Sequence, residues 1–181
     1  GCRQRFERSI GHRVENWPTS CTTPSGTRTQ WLDFRRNTIT SLVGDVRTRL
    51  RTINPRVKLS AAVYPGEATA RDSVAQAWSE WGRLGLLDFL CPMSYADSPE
   101  GLRRMIERGL PRNGKTATPV FPGIGVSSRK LDPIATVQQI RTTRLLGTSG
   151  FILFEYNRQT ATEILPLLAL GLCPACMDFQ K

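Results

Sequence analysis

The sequence predicts an α/β domain built on a parallel sheet, and three observations carry that prediction. Amphipathic helical stretches alternate with short apolar runs along most of the 181 residues, the pattern of strand–helix repetition. The run Leu86-Leu87-Asp88-Phe89-Leu90-Cys91-Pro92-Met93-Ser94-Tyr95, entered through Gly85, is close to continuously apolar. A strand of that kind is expected to be buried on both faces beneath helices. Hairpin signals are absent, so successive strands should return through helical crossovers and lie parallel.

The elements follow in order. Residues 1–30 read as an irregular connection, with a short helix ended by Gly11 and a turn-rich loop over 17–26. Such a loop in a compact domain is commonly functional or a lid. A helix is expected over 31–53, where Ile39, Leu42, Val43, Val46, Leu50 and Ile53 recur at helical spacing until Asn54-Pro55 stops it. A strand over 57–64 closes at Pro65-Gly66. A helix over 69–84 follows, with Val74, Ala77, Trp78 and Trp81 on one core-facing side. After the strand over 86–95, Ser98-Pro99-Glu100 begins a helix that stops at Gly109, with proline in the first helical position. A strand over 117–126 precedes a helix capped by Asp132-Pro133 and ended by Gly147; the last strand covers 150–156 and the last helix 160–168.

The count is one helix and then four strand–helix units. That is about half of a (β/α)8 barrel, or a small doubly wound sheet. The expected division is 1–30 as connection, 31–172 as one domain and 173–181 as a tail. In both architectures ligands bind at the carboxyl ends of the strands, which directs attention to Ser94-Tyr95-Ala96-Asp97.

Composition narrows the class. Hydrophobic residues at 39% and charged residues at 22% are ordinary for a globular domain. No apolar stretch is long enough to span a bilayer, and Gly1-Cys2-Arg3-Gln4-Arg5 carries no signal-peptide pattern, so any targeting signal is expected upstream. The net charge of +10 raises the question of nucleic acid. The arginines, however, are scattered through every helix and the aromatics sit inside apolar runs, so no nucleic-acid partner is expected.

Five cysteines do not form a disulfide framework in a chain this long. Cys173-Pro174-Ala175-Cys176 is a single CxxC without the second pair of a zinc site or the strand–helix context of a redox motif. It reads as an incidental tail pair. His12 is the only histidine, and no triad or histidine metal site can be assembled around it. Pro122-Gly123-Ile124-Gly125-Val126 contains GxG but lacks the third glycine of a dinucleotide fingerprint. No cofactor or metal is expected.

Seven ordered motifs resemble the C-terminal part of the glycosyl hydrolase-like 10 family, bacterial glycosidase-like proteins with a (β/α)8 barrel. They are Arg5-Phe6-Glu7-Arg8 with Val14-Glu15-Asn16-Trp17-Pro18; Trp31-Leu32-Asp33-Phe34-Arg35-Arg36; Lys58-Leu59-Ser60-Ala61-Ala62-Val63; Gln76-Ala77-Trp78; Cys91-Pro92-Met93 in its strand; Pro122-Gly123-Ile124-Gly125; and Gly150-Phe151-Ile152-Leu153-Phe154-Glu155-Tyr156. The resemblance implies that the four strands are the fifth to eighth of the barrel. It also implies a glycoside hydrolase acting on a polysaccharide, bacterial cell-wall glycan among the candidates, in the cell envelope or secreted. The family's paired aspartates end an earlier strand and have no counterpart here, so the chain is expected to be catalytically incomplete. The sequence also departs from the family at Ser94, often Asp or Asn there, and at Ala77, where the family has Asp. The competing reading is a non-catalytic carbohydrate-binding α/β module. Unpaired edges at the first and last strands would favour self-association.

Glycoside hydrolysis calls for two carboxyl groups flanking the scissile bond. Those near strand ends are Glu67, Asp97 and Glu155. Glu155, between Phe154 and Tyr156, is the catalytic candidate, because burial there would raise its pKa toward acid–base work; the plainer reading is a rim carboxylate paired with an arginine. Glu67 and Asp97 lie in loops, where solvated side chains are the plainer reading, and are assigned to substrate binding. Tyr64, Tyr95 and Tyr156 each fall at a strand's carboxyl end, where aromatic faces suit the C–H faces of sugars; capping of the core is the alternative. Met93, Ser94 and Asn157 complete the expected rim. Asp88, near the start of its strand, reads as a structural ion-pair partner, and Trp78 and Trp81 read as core.

Overall fold

The structure, a computed structural model, describes residues 1–110, 118–127 and 131–170. Cys173, Cys176 and the expected tail lie outside the described residues. Element order is α1 (Cys2–Ile10), α2 (Thr19–Thr22), α3 (Gly26–Ile53), β1 (Ser60–Val63), α4 (Glu67–Ser73), α5 (Trp78–Arg83), β2 (Phe89–Pro92), α6 (Pro99–Gly109), β3 (Gly123–Ile124), α7 (Pro133–Leu145) and β4 (Ile152–Leu153). A π-helical turn, Thr160–Ile164, then runs into α8 (Leu165–Ala169).

The strands pair in parallel as two short sheets, β1 with β2 and β3 with β4. A parallel bridge between Leu90 and Val120 joins them. It is made by Leu90 N donating to Pro119 O at 2.9 Å and Phe121 N donating to Leu90 O at 2.8 Å. Neighbours in space are therefore neighbours in sequence, and no reversal of strand order of the doubly wound kind occurs among the described strands. The strands are shorter than expected. Pro119 and Pro122 have no N–H to give the ladder, which confines β3 to two residues.

Helix boundaries follow local chemistry. Ser98 caps α6 by accepting from Gly101 N at 3.1 Å, and Asp132 caps α7 by accepting from Ala135 N at 2.7 Å, each with proline in the first turn. The expected helix over 69–84 is two helices instead. The break leaves Ala75 at φ 61°, and Gln76 turns its side chain back so that Oε1 accepts Tyr64 N at 2.9 Å at the end of β1.

The core lies on the helix-covered face of the sheet. Val63, Ala70, Trp78, Trp81, Leu87, Leu90 and Val120 form one buried cluster, and Ile124, Val126 and Leu131 join Leu102 and Ile106 of α6 and Ile140 of α7 in another. Each such fully buried aliphatic side chain contributes about 1.5–3 kcal/mol. Burial along β2 alternates between half-buried and buried, so the expectation of a strand buried on both faces is corrected. Helices cover the side of Leu90 and Pro92, and the opposite face is open.

Residues 1–30 are also more ordered than expected. Phe6, Val14 and Cys21 are buried together, with Trp17, Trp31 and Phe34 packed on them. Phe6 meets the Trp31 ring edge-on at 5.1 Å. This aromatic cluster pins α1 and α2 to the start of α3, which begins at Gly26 under a Ser25 cap. Helix α3 itself buries no residue fully: Ile39 and Val43 pack on the core, whereas Leu42, Val46 and Ile53 of the expected stripe are exposed. Polar tethers help hold it to the sheet layer. Trp81 Nε1 donates to Thr40 Oγ1 at 2.9 Å, and Arg47 pairs with Asp88 at 2.6 Å.

Candidate functional site

Period-two alternation assigns the strand residues to two faces. On the open face fall Ser60, Ala62 and Tyr64 from β1 and its exit, and Phe89, Cys91, Met93 and Tyr95 from β2 and its exit. Phe121, Gly123 and Gly125 line the same face along β3, and Ile152 and Phe154 along β4. Ring contacts bear this out. Phe89 meets Phe121 edge-on at 5.3 Å, and Tyr95 stacks on Phe154 at 5.5 Å with planes 23° apart. Burial pushes the Cys91 thiol and the Tyr95 phenol up from their ordinary values, with the Ser60 hydrogen bond opposing the Cys91 shift. Both groups stay neutral at neutral pH, so this part of the face is apolar and uncharged.

The carboxyl ends of the strands carry the exposed aromatics. Tyr64, Tyr95, Phe154 and Tyr156 are 46%, 40%, 49% and 78% exposed. Tyr95 is brought against Phe154. Tyr64 stands at the β1 end, and Tyr156 projects furthest into solvent. Met93 is half-buried and donates its backbone N–H to Val63 O at 2.8 Å.

Three expectations for polar residues change. Glu155 is exposed, and the burial expected of it is absent. The peptide joining it to Phe154 is cis, and the Glu155 carbonyl accepts from the buried Thr160 hydroxyl at 2.8 Å. Ser94 does not lie on the rim. It is 1% exposed, turned into the helix layer beside Met105, Ile106 and Leu110, with no hydrogen-bond partner for Oγ. The strand's alternation explains this, because Ser94 shares the phase of Leu90 and Pro92. Asn157 uses its side-chain oxygen to cap the final helical segment, accepting Thr160 N at 2.9 Å.

The other two carboxylates lie elsewhere on the rim. Glu67, in the first turn of α4, accepts from the Ser79 hydroxyl. Asp97 is exposed just before α6. Asp88 behaves as the sequence suggested. It receives both Arg47 nitrogens and Leu59 N, and Arg47 holds its carboxyl down at about 2. Arg36 reaches the Asp72 carboxylate and Arg35 the Ser73 carbonyl.

Sequence reasoning missed Phe154 and the glycine strip beneath Tyr95. Both signals were present. Ile152, Phe154 and Tyr156 share one phase of the last strand, and Gly123 and Gly125 share one phase of β3.

Comparison with known proteins fits this architecture. Residues 13–139 match the family model described as Glycosyl hydrolase-like 10. No curated protein matches the sequence. Among solved structures, the chain is similar to the PgaB (BpsB) glycoside hydrolase domain from Bordetella bronchiseptica, with a TM-score of 0.61 and 14% identity. The likeness covers 92% of this chain and 49% of that one, so the chain spans about half the length of the structure it matches. At that identity the likeness speaks for the fold, a parallel α/β architecture similar to a glycoside hydrolase domain. No helix among the described residues is long and apolar enough to cross a membrane. With the family model matched over most of its length, the chain belongs to the glycosyl hydrolase-like 10 family.

Proposed function

We propose that this chain is the C-terminal half of a (β/α)8 glycoside hydrolase barrel that acts on a polysaccharide, with bacterial cell-wall glycan as the substrate class to test first. The observation that carries the reading is the placement of exposed aromatic rings and two exposed carboxylates, Asp97 and Glu155, at the carboxyl ends of sequentially ordered parallel strands. Substrates bind at that end of such barrels. Tyr64, Met93, Tyr95 and Tyr156 line the glycan cleft, and Asp97 and Glu67 stand at its rim. Glu155 serves as one of the two carboxyl groups. Its partner must lie about 5–5.5 Å away for retention or about 6.5–9.5 Å for inversion, and it comes from outside these residues.

The chain alone is therefore expected to retain polysaccharide without cutting it. Co-sedimentation with insoluble cell-wall glycan and an assay for released reducing ends test both halves of the statement. Release by the chain alone would overturn its incompleteness, and failure to retain any glycan would sink the carbohydrate reading.

The second reading, a non-catalytic carbohydrate-binding module, is favoured by the engagement of Glu67 with Ser79 and by the exposure of Glu155. Glu155→Gln in the full-length protein separates the two. A catalytic role predicts a fall in kcat of about 10²–10⁴, and the binding module predicts none.

The outer edges of β1 and β4 have no strand partner among the described residues, a pattern that favours association. Sedimentation velocity of the 181-residue chain is expected to show concentration-dependent species, and a monodisperse monomer would count against this.

A further inference from the structure

Packing does not explain one residue of the Gln76-Ala77-Trp78 motif. Ala77 and Trp78 are buried at the start of α5, whereas Gln76 is half-buried in the segment that follows β1 and α4. Its backbone is fixed from two sides. Gln76 N donates to Ala70 O at 2.9 Å, and the preceding Ala75, itself buried, holds φ at 61°. An L-residue adopts that left-handed conformation only at a cost. The turn sends the Gln76 side chain back to the carboxyl end of β1, where Oε1 accepts Tyr64 N at 2.9 Å.

The chemistry of that bond orients the amide. A backbone N–H can only donate, so the amide oxygen faces Tyr64 and the NH2 faces away. Val63 O accepts Met93 N on the β2 side. Tyr64 N, one residue on, therefore points to the outer edge of β1, and Gln76 Oε1 stands where a neighbouring strand's carbonyl would. Nε2 is left over. It makes no hydrogen bond among the described residues and is not buried. Glu67, the carboxylate of the same β1–α5 connection, is engaged by the Ser79 hydroxyl instead. A donor pair of fixed orientation is thus held at the backbone of Tyr64, whose ring is exposed. It lies on a connection that follows a strand's carboxyl end, where (β/α) barrels bind ligands. Such a group suits a ligand rich in oxygen acceptors.

We infer that Gln76 is a glycan-binding residue: its amide oxygen completes the edge of β1, and its NH2 donates to an oxygen of a sugar unit lying at Tyr64. The inference rests on the carbohydrate reading above and adds to it a polar contact from a residue outside the strands.

Gln76→Glu separates the two halves of the amide. A carboxylate still accepts Tyr64 N but has no N–H to give, whereas Gln76→Ala loses both functions. Retention of the 181-residue chain on insoluble cell-wall glycan is measured by co-sedimentation, and protection of the Tyr64 amide by hydrogen exchange. Gln76→Glu should keep the Tyr64 protection of the wild type and weaken retention by about tenfold; Gln76→Ala should lose both. Wild-type retention in Gln76→Glu overturns the donor role and leaves the carbohydrate reading intact. Should Gln76→Glu lose the Tyr64 protection, the wild type decides. Its Gln76 NH2 signals in ¹H–¹⁵N spectra should shift on titration with soluble, peptide-free cell-wall glycan strands, and unmoved signals at saturation overturn the inference. A wild type that retains no glycan removes the parent reading and this contact with it.

Discussion

The two ends of the sheet use their polar and aromatic residues in opposite ways. At the amino end of β2, Asp88 is tied down by Arg47 at 2.6 and 3.2 Å, by Leu59 N at 2.7 Å and by Lys58 at 3.7 Å. These contacts join α3, the start of β1 and the start of β2. At the carboxyl end, Tyr64, Tyr95, Phe154, Glu155 and Tyr156 stand exposed. The difference teaches which end is structural. Bonds satisfied within the chain at the amino end hold the layers together, and exposed rings and a carboxylate face solvent at the other. The proposed cleft lies at the end where (β/α) barrels bind their ligands.

The comparison can be tested by substitution, beginning where the largest effect is expected. Leu90→Ala opens a cavity among Val63, Trp81 and Val120 on the covered face and should cost about 2–5 kcal/mol by denaturant titration. Little change would mean that the covered face is not the core.

Asp88→Asn should cost about 1–3 kcal/mol, since it leaves Arg47 without its charged partner. Its pH dependence has a definite sign. The Asp88 carboxyl is depressed from 3.8 to about 2 in the folded protein. Its contribution is therefore complete above about pH 4 and lost as pH falls through about 2. The stability gap between wild type and Asp88→Asn should narrow over that window, and a constant gap would show that the carboxylate charge is not what matters.

Ser94→Ala should leave stability unchanged or raise it by up to about 1 kcal/mol, because the buried hydroxyl has no partner to lose. Clear destabilisation would mean that Ser94 is held by a contact on the open side after all. Smallest of all, Glu155→Gln and Tyr156→Ala at the exposed end should move stability by no more than about 0.5 kcal/mol, so that any loss of glycan binding or cleavage can be read as function.

Much of this organisation was legible in the linear sequence. The caps at Ser98 and Asp132, the stop at Gly11 and the alternation of helices with strands depend on neighbours a few residues away, and the helical spacing of Trp78 and Trp81 marks a core face; each is present in the structure. Asp88 was legible for the same reason, since its position near a strand start predicts a structural partner. Its particular partner was not, because Arg47 lies on another element. The candidate site was legible in outline. Three tyrosines at strand ends are exposed there, whereas Ser94 is buried and Glu155 exposed, because strand phase and coverage depend on what packs against each face.

Local pattern, then, specifies element type, order and the parallel sheet, because helix periodicity, capping and the lack of tight turns act over a few residues. Which face of the sheet is covered, how α1 and α2 are pinned through Phe6, and where Tyr95 finds Phe154 were decided by tertiary packing. Those contacts join residues from separate strands and helices, and they form only once the strands are registered and the bare backbone of Gly123 and Gly125 comes to lie between the two rings.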